Sequence, residues 1–211
     1  MKQRKCSKST IKASVYISII MVLIMLPQSV FAASWYAGTN KSGSQTGIAA
    51  QIKTPTKLPT LGSSGESCWV SNVYTPSGGT KTWVQTGIRY YSGYSGFKTY
   101  VETQLAGGYN MQDIGVHALN ISIHYKVSYE SDNKWHAYIA NVDKGSFTMN
   151  STAGVQAQGE SHATNTQLGP FQFIDVVYKN SSGTWNWMDV TPTAQSPYSV
   201  TITNNYNYTV K

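Results

Sequence analysis

The chain has 211 residues, of which 12% are aromatic and only 12% are charged. Its formal net charge is +7, but five of the 16 Lys and Arg residues lie in the first 12 positions, which leaves 11 against nine Asp and Glu residues in the remainder. A remainder this close to neutral gives no indication of a nucleic acid or an anionic membrane as a partner.

The first 32 residues have the pattern of a secretory signal peptide. Their basic start is followed by a mostly apolar run from Val15 to Leu26, and Val30 and Ala32 stand at the −3 and −1 positions of a cleavage site. The apolar run is shorter than a membrane-spanning helix prefers, so we expect cleavage after Ala32 rather than retention as an anchor. The mature chain, residues 33–211, is therefore expected to be a secreted monomer without a membrane partner.

Cysteine and histidine usage argues against disulfides and metal sites. Cys6 lies in the predicted signal peptide, so the mature chain retains Cys68 alone and can form no internal disulfide. The four histidines show no metal-ligand spacing. We expect no metal and no cofactor.

Short strands separated by turns follow one another along the mature chain. Residues 33–66 are weakly patterned, with possible strands at 34–38 and 47–52, and residues 105–117 are predicted to form a loop. Further strands are predicted at 67–74, 81–91, 97–104, 119–129, 135–141, 171–178, 184–190 and 198–203, with weaker strands at 146–151 and 154–162. No helical periodicity lasts ten residues after the signal peptide. This pattern is typical of a single all-β domain, an antiparallel β-sandwich or jelly roll.

The strand around Gln85 is the first candidate for a functional element. In an extended segment Gln85 shares one face with Trp83 and Gly87, while Val84 and Ile88 lie on the other face. An amide in this position either forms structural hydrogen bonds or binds a carbonyl oxygen of a ligand. The strand alone leaves both interpretations open.

Carboxylates and tyrosines supply the other candidates. Glu102 and Glu160 are long carboxylates within predicted strands, whereas most of the other acidic residues fall in turns or loops. Tyr91, Tyr94 and Tyr100 belong to a glycine-laced aromatic stretch of the kind that lines binding grooves, although sheet-surface packing explains such a stretch equally well.

Several segments resemble, in the same order along the chain, those of the glutamic peptidases (the eqolisin family) and of the related neprosin-like proteins. By this resemblance the chain would be a bacterial-type secreted member. The matching segments are Trp35–Gly38, Ile48–Pro55, Ser67–Val70, Val84–Ile88, Tyr100–Glu102 and Gly159–Glu160, the last followed by Leu168–Phe171. The resemblance implies a concanavalin-like sandwich and a secreted peptidase that acts at acid pH on polypeptides.

The resemblance also implies roles for individual residues. Gln85 matches the catalytic glutamine and Glu160 the catalytic glutamate, so Glu160 would act as general base on a water and Gln85 would bind the oxyanion. Glu102 and Trp69 would support this pair. The chain departs from the family where Asn72 and its neighbours carry no acid, and neprosin-like proteins have a second glutamate where this chain has Gln85.

Two other functions remain open from the residues. The first is a non-catalytic exported module that binds a glycan or a cell-wall component through the tyrosine-rich stretch. The second is a glycoside hydrolase that uses Glu102 and Glu160. The peptidase hypothesis requires Gln85 and Glu160 to lie on the same face of the sheet.

Overall fold

The structure, a computed structural model, describes residues 34–77 and 79–211, so the predicted signal peptide lies outside the described residues. These residues form strands joined by turns and loops. The strands are β1 Trp35–Lys53, β2 Glu66–Tyr74, β3 Thr82–Tyr90, β4 Phe97–Leu105, β5 Gly108–His117, β6 Ser122–Tyr129, β7 Trp135–Ile139, β8 Val142–Phe147, β9 Ala153–Ser161, β10 Phe171–Asn180, β11 Trp185–Trp187, β12 Pro192–Ala194, β13 Val200–Asn204 and β14 Asn207–Val210. Within these residues no helix is long and apolar enough to cross a membrane.

Strand β1 joins two antiparallel sheets. Its first half pairs with β9 and β12, and its second half, beyond an irregularity between Lys41 and Gln45, pairs with β10 and β6. The first sheet therefore runs β12-β1-β9-β2-β3-β4-β5, and the second runs β13-β14-β10-β1-β6-β7-β8, with β11 paired to β10. A strand that passes from one sheet to the other is a common way to close the corner of a sandwich.

The core lies between the two sheets, where β3 faces β6 and β7. Alternation along each strand explains which side chains enter it. On β9, for example, Val155 and Ala157 are fully buried in the core, while Gln156, Gln158 and Glu160 lie on the opposite face. Large side chains such as Trp135 and Phe173 are fully buried, and each such burial stabilises the fold by roughly 1.5–3 kcal/mol.

The predicted all-β sandwich is confirmed, with local corrections. The strand predicted at 146–151 lies earlier, as β8 at Val142–Phe147, and the one predicted at 184–190 is reduced to β11 at Trp185–Trp187. Residues 105–117, predicted to be a loop, contain the edge strand β5. The two short strands predicted near the start are parts of the single strand β1. The polar tail contains β14, which pairs with β10 through Phe171 and Val210. Strand β5 is mostly exposed, so it lacks the apolar alternation that reveals a half-buried strand.

The carboxyl group of Glu66 is enclosed in the core. Glu66, on β2, is 1% exposed, and its Oε2 accepts a hydrogen bond of 2.9 Å from the backbone N–H of Gly169. Its Oε1 has no hydrogen-bond partner among the residues that the structure describes. Burial raises the pKa of Glu66 well above its ordinary value, because no cation compensates a charge there.

Candidate active site

Strand register brings the predicted residues onto one surface, the outer face of the first sheet. We define three rows that run across β9, β2, β3 and β4 on this face. The Glu160 row holds Glu160, Ser67, Arg89 and Lys98; the central row holds Gln158, Trp69, Gly87 and Tyr100; the Gln85 row holds Gln156, Ser71, Gln85 and Glu102.

The central row is recessed although it faces away from the core. Trp69 is 3% exposed and Tyr100 is 1% exposed. Gly87 lies between them, and a Cβ on Gly87 would overlap the carbonyl oxygen of Cys68 and lie 2.7 Å from Trp69 Cα. Only glycine fits this position, because any other side chain would collide with the backbone of β2.

Gln85 approaches the central row from one side. The side chain is 6% exposed, and its Nε2 donates hydrogen bonds to the Tyr100 hydroxyl at 3.2 Å and to Glu102 Oε2 at 2.8 Å. Because Tyr100 and Glu102 both come from β4, paired strands hold the amide at two points. Such an amide is pre-organised as a hydrogen-bonding group.

Glu160 approaches the same row from the other side. Its side chain is 14% exposed, and its Oε2 accepts a hydrogen bond of 3.3 Å from Trp69 Nε1. Tyr36 lies opposite Glu160 in the β1–β9 register. Gln85 and Glu160 therefore each contact a member of the central row, Tyr100 and Trp69, which lie on either side of Gly87.

The carboxylate that contacts Gln85 is nevertheless Glu102. Among the described residues no hydrogen bond joins Gln85 to Glu160. Gln85 pairs with Ser71 and Glu160 pairs with Ser67, so the two side chains start four residues apart along β2. Four residues of an extended strand span roughly 13 Å. The ends of the two side chains are closer together than this only if both side chains lean towards the central row.

The two carboxyl groups nonetheless lie close enough for their charges to interact. The pKa of Glu102 is raised to about 7, chiefly by burial and next by the negative charge of Glu160, while the hydrogen bond from Gln85 acts in the opposite direction. Burial also raises the pKa values of Tyr36 and Tyr91 to about 12, with the charge of Glu160 as the next contribution to each. These phenols therefore stay neutral and surround a pair of interacting carboxyl groups.

The predicted groove tyrosines take different positions. Tyr100 is buried beneath Gln85 rather than on the surface. Tyr94 donates a hydrogen bond of 3.1 Å to Asp113 Oδ2, and its ring packs edge-on against Tyr91. Arg89 binds the same aspartate at 2.8 Å. The charges of Arg89 and Asp113 thus compensate each other beside the carboxyl groups of Glu102 and Glu160.

His162 is a neighbour of the site that the sequence did not single out for a role. Its Nδ1 lies 2.8 Å from Ser34 Oγ and 3.9 Å from Glu160 Oε1. A serine–histidine–acid triad needs the serine and the acid on different ring nitrogens, but here both face Nδ1. The period-2 alternation of β9 is enough to place Glu160 on the outer face. The pairing of β9 with β1, which brings Tyr36 opposite Glu160, depends on the tertiary structure.

No group of three or more histidine, cysteine, aspartate or glutamate side chains suited to a metal ion occurs in the described residues. Cys68 is buried and unpaired, and burial raises the pKa of its thiol well above the ordinary value. The candidate chemistry of this face therefore rests on two carboxyl groups and one amide.

Comparisons with known proteins support the fold. No protein-family model matches the sequence, and no curated protein matches it. Scytalidoglutamic peptidase, solved with a peptide-based transition-state analogue, is similar with a TM-score of 0.58 and 16% identity, over 84% of this chain and 97% of that chain. SCP-B, a member of the eqolisin family solved with the tripeptide Ala-Ile-His, is similar with a TM-score of 0.54 and 17% identity, over the same shares of the two chains. The chain therefore has the β-sandwich fold of the eqolisin-type glutamic peptidases.

Proposed function

We propose that the protein is a secreted, monomeric endopeptidase of the glutamic type that hydrolyses polypeptides at acid pH. The observation that carries the proposal is that Gln85 and Glu160 form hydrogen bonds with Tyr100 and Trp69, two members of one recessed row on the outer face of the first sheet. The fold supports it, since the two similar peptidases described above were solved with a peptide-based transition-state analogue and with a tripeptide. The signal-like first 32 residues support export.

In the proposed reaction the scissile peptide bond lies over Gly87. Glu160 takes a proton from a water molecule, whose oxygen then attacks the carbonyl carbon. One N–H of the Gln85 amide leaves the Tyr100 hydroxyl, the longer of its two hydrogen bonds at 3.2 Å, and donates to the oxygen that becomes negative, while the other stays on Glu102. Glu160 then returns its proton to the leaving nitrogen as the C–N bond breaks, so the enzyme ends in its starting state and no covalent intermediate forms.

Glu102 has a separate part in this proposal. At acid pH it is neutral because its pKa is raised to about 7. A neutral Glu102 holds the Gln85 amide by a hydrogen bond without bringing a second negative charge next to the forming oxyanion. We assign it the role of a positioning residue whose ionisation opposes catalysis.

The test is cleavage of an unfolded protein by the mature chain at acid pH, followed by mass spectrometry of the products. Gln85→Met keeps the length of the side chain but removes its N–H donors, and we expect a loss of roughly 10²–10³ in kcat/KM. Glu160→Gln removes the base, and we expect a loss of at least about 10².

Two matched variants control for the substitutions themselves. Gln104→Met changes an amide on β4 that binds the carbonyl of Leu105, and Glu130→Gln changes a carboxylate that pairs with Lys126 and Lys179 on the second sheet. Both should cleave like wild type. The proposal fails if wild type cleaves no peptide between acid and neutral pH, or if Glu160→Gln cleaves as fast as wild type.

A further inference from the structure

The second sheet carries two exposed indoles on its shortest paired strand. Trp185 is 39% exposed and Trp187 is 53% exposed, and both lie on the same side of β11 because they are two residues apart. Outside functional surfaces, proteins seldom expose two aromatic side chains of this size next to each other. These residues lie on the second sheet, whereas the candidate active site lies on the first.

Both rings are held in place from beneath. Trp187 stacks on Tyr206, with ring centroids 4.8 Å apart and an interplanar angle of 25°. Trp185 packs over Gly47, where an added Cβ would lie 3.1 Å from its Cη2. The indoles are therefore pre-organised before any ligand arrives, which lowers the entropy cost of binding.

Hydrogen-bond acceptors surround this pair. Val176 donates its N–H to Tyr206 O at 3.2 Å, Met188 donates to Val176 O at 3.0 Å, and Val190 donates to Asn205 O at 2.9 Å. These backbone bonds bring the segments that carry the exposed residues Asp175, Asp189 and Asn205 next to β11 beside Trp187.

The nearest cation on the paired strand is engaged elsewhere. The ammonium group of Lys179 donates a hydrogen bond of 2.9 Å to Tyr129 O and lies 3.6 Å from Glu130. The surface around Trp187 is thus rich in acceptors and acidic. It complements a ligand that presents many hydroxyl donors and no negative charge.

We propose that Trp185, Trp187 and Tyr206 form a binding platform for a neutral polysaccharide. Flat aromatic faces match the apolar C–H faces of pyranose rings, and the amides and carboxylates around them accept hydrogen bonds from sugar hydroxyls. Two indoles at a strand spacing of roughly 7 Å contact neighbouring sugar units of one chain. This platform is independent of the proposed peptide hydrolysis.

The test is binding of the mature protein to insoluble cellulose, chitin and mannan, and to soluble alginate as an anionic polymer. We expect retention on at least one of the neutral polysaccharides and none on alginate. Trp187→Ala should weaken that retention at least tenfold and Trp185→Ala should weaken it less, because Trp187 is the more exposed ring.

Val116→Ala is the matched control, since Val116 is 68% exposed on β5 of the first sheet and should bind like wild type. Equal unfolding temperatures establish that the variants are folded. Failure of the wild type to bind any neutral polysaccharide, or undiminished binding by Trp187→Ala, would overturn the proposal. A dimer in sedimentation that Trp187→Ala dissociates would also overturn it, by assigning the platform to a second copy of the chain.

Discussion

Replacement of Glu102 by glutamine is expected to keep peptide hydrolysis active above about pH 7, where the wild type loses it. The pKa of Glu102 is raised to about 7 by burial and by the charge of Glu160, so above that pH it ionises next to Gln85. A carboxylate there opposes the negative charge that forms on the substrate oxygen. The rate of the wild type should therefore fall about tenfold for each pH unit above 7.

Glutamine at position 102 stays neutral and can still accept the hydrogen bond from Gln85. The measurement is kcat/KM against pH for wild type and Glu102→Gln, with Glu130→Gln as the control for loss of a carboxylate elsewhere. The variant should match wild type within a few-fold at acid pH and lack the alkaline decline. An unchanged decline would show that another group causes it, and a variant inactive at every pH would make Glu102 the proton-transfer group.

Stability should also decrease as the pH rises, chiefly because of Glu66. Burial raises the pKa of Glu66 well above the ordinary value of 4.5. Between 4.5 and the raised pKa the folded protein holds a proton that the unfolded chain has released, so the free energy of unfolding falls across that window. Glu102 acts in the same direction between 4.5 and about 7, by up to roughly 3 kcal/mol.

Urea unfolding between acid and weakly alkaline pH measures this effect. Glu66→Gln keeps an acceptor for the Gly169 N–H but cannot ionise, so the variant should gain stability relative to wild type as the pH rises. Glu130→Gln is the opposite control, because hydrogen bonding from Ser128 and nearby lysines lower the pKa of Glu130 and its contribution is lost only as the pH falls. A wild type that is equally stable at both ends of the range would contradict the account.

The strands of the core could be predicted from the sequence because their side chains alternate between two environments. Strands β2, β3 and β10 have buried β-branched and aromatic residues on one face, and their predicted bounds agree with the structure to within two residues. Strand β5 was not predicted, since an exposed edge strand with Gly108 and Gly115 has no such alternation. The sequence predicts two short strands in place of the long strand β1, because polar residues in the middle of β1 interrupt the pattern where the strand passes from one sheet to the other.

The site was predictable as a set of residues on one face but not as a set of contacts. The period of β3 places Gln85 on the face opposite Val84, and the same argument orients Glu160. Which carboxylate reaches the amide depends on register between strands, and the register brings Glu102 opposite Gln85 while Glu160 lies opposite Ser67. Register is set by the whole sheet, so the single-strand pattern could not distinguish the two.

The burial of polar side chains could not be predicted from the sequence for a similar reason. Glu66 occurs in a Ser/Gly-rich stretch and has the appearance of a loop residue, yet it begins β2 on the core side. Tyr100 has the appearance of a groove residue, yet it lies beneath Gln85. Both positions follow from which neighbouring strands cover them.

The most direct test of the central claim is a crystal structure of the mature protein with a peptide analogue whose tetrahedral carbon carries a hydroxyl group. Such an analogue imitates the state that peptide hydrolysis passes through and binds where the reacting carbon would lie. The account predicts that the hydroxyl lies over Gly87, within hydrogen-bond distance of both the Gln85 amide and the Glu160 carboxylate. A bound analogue whose hydroxyl reaches only one of these two groups, or lies away from the central row, would contradict it.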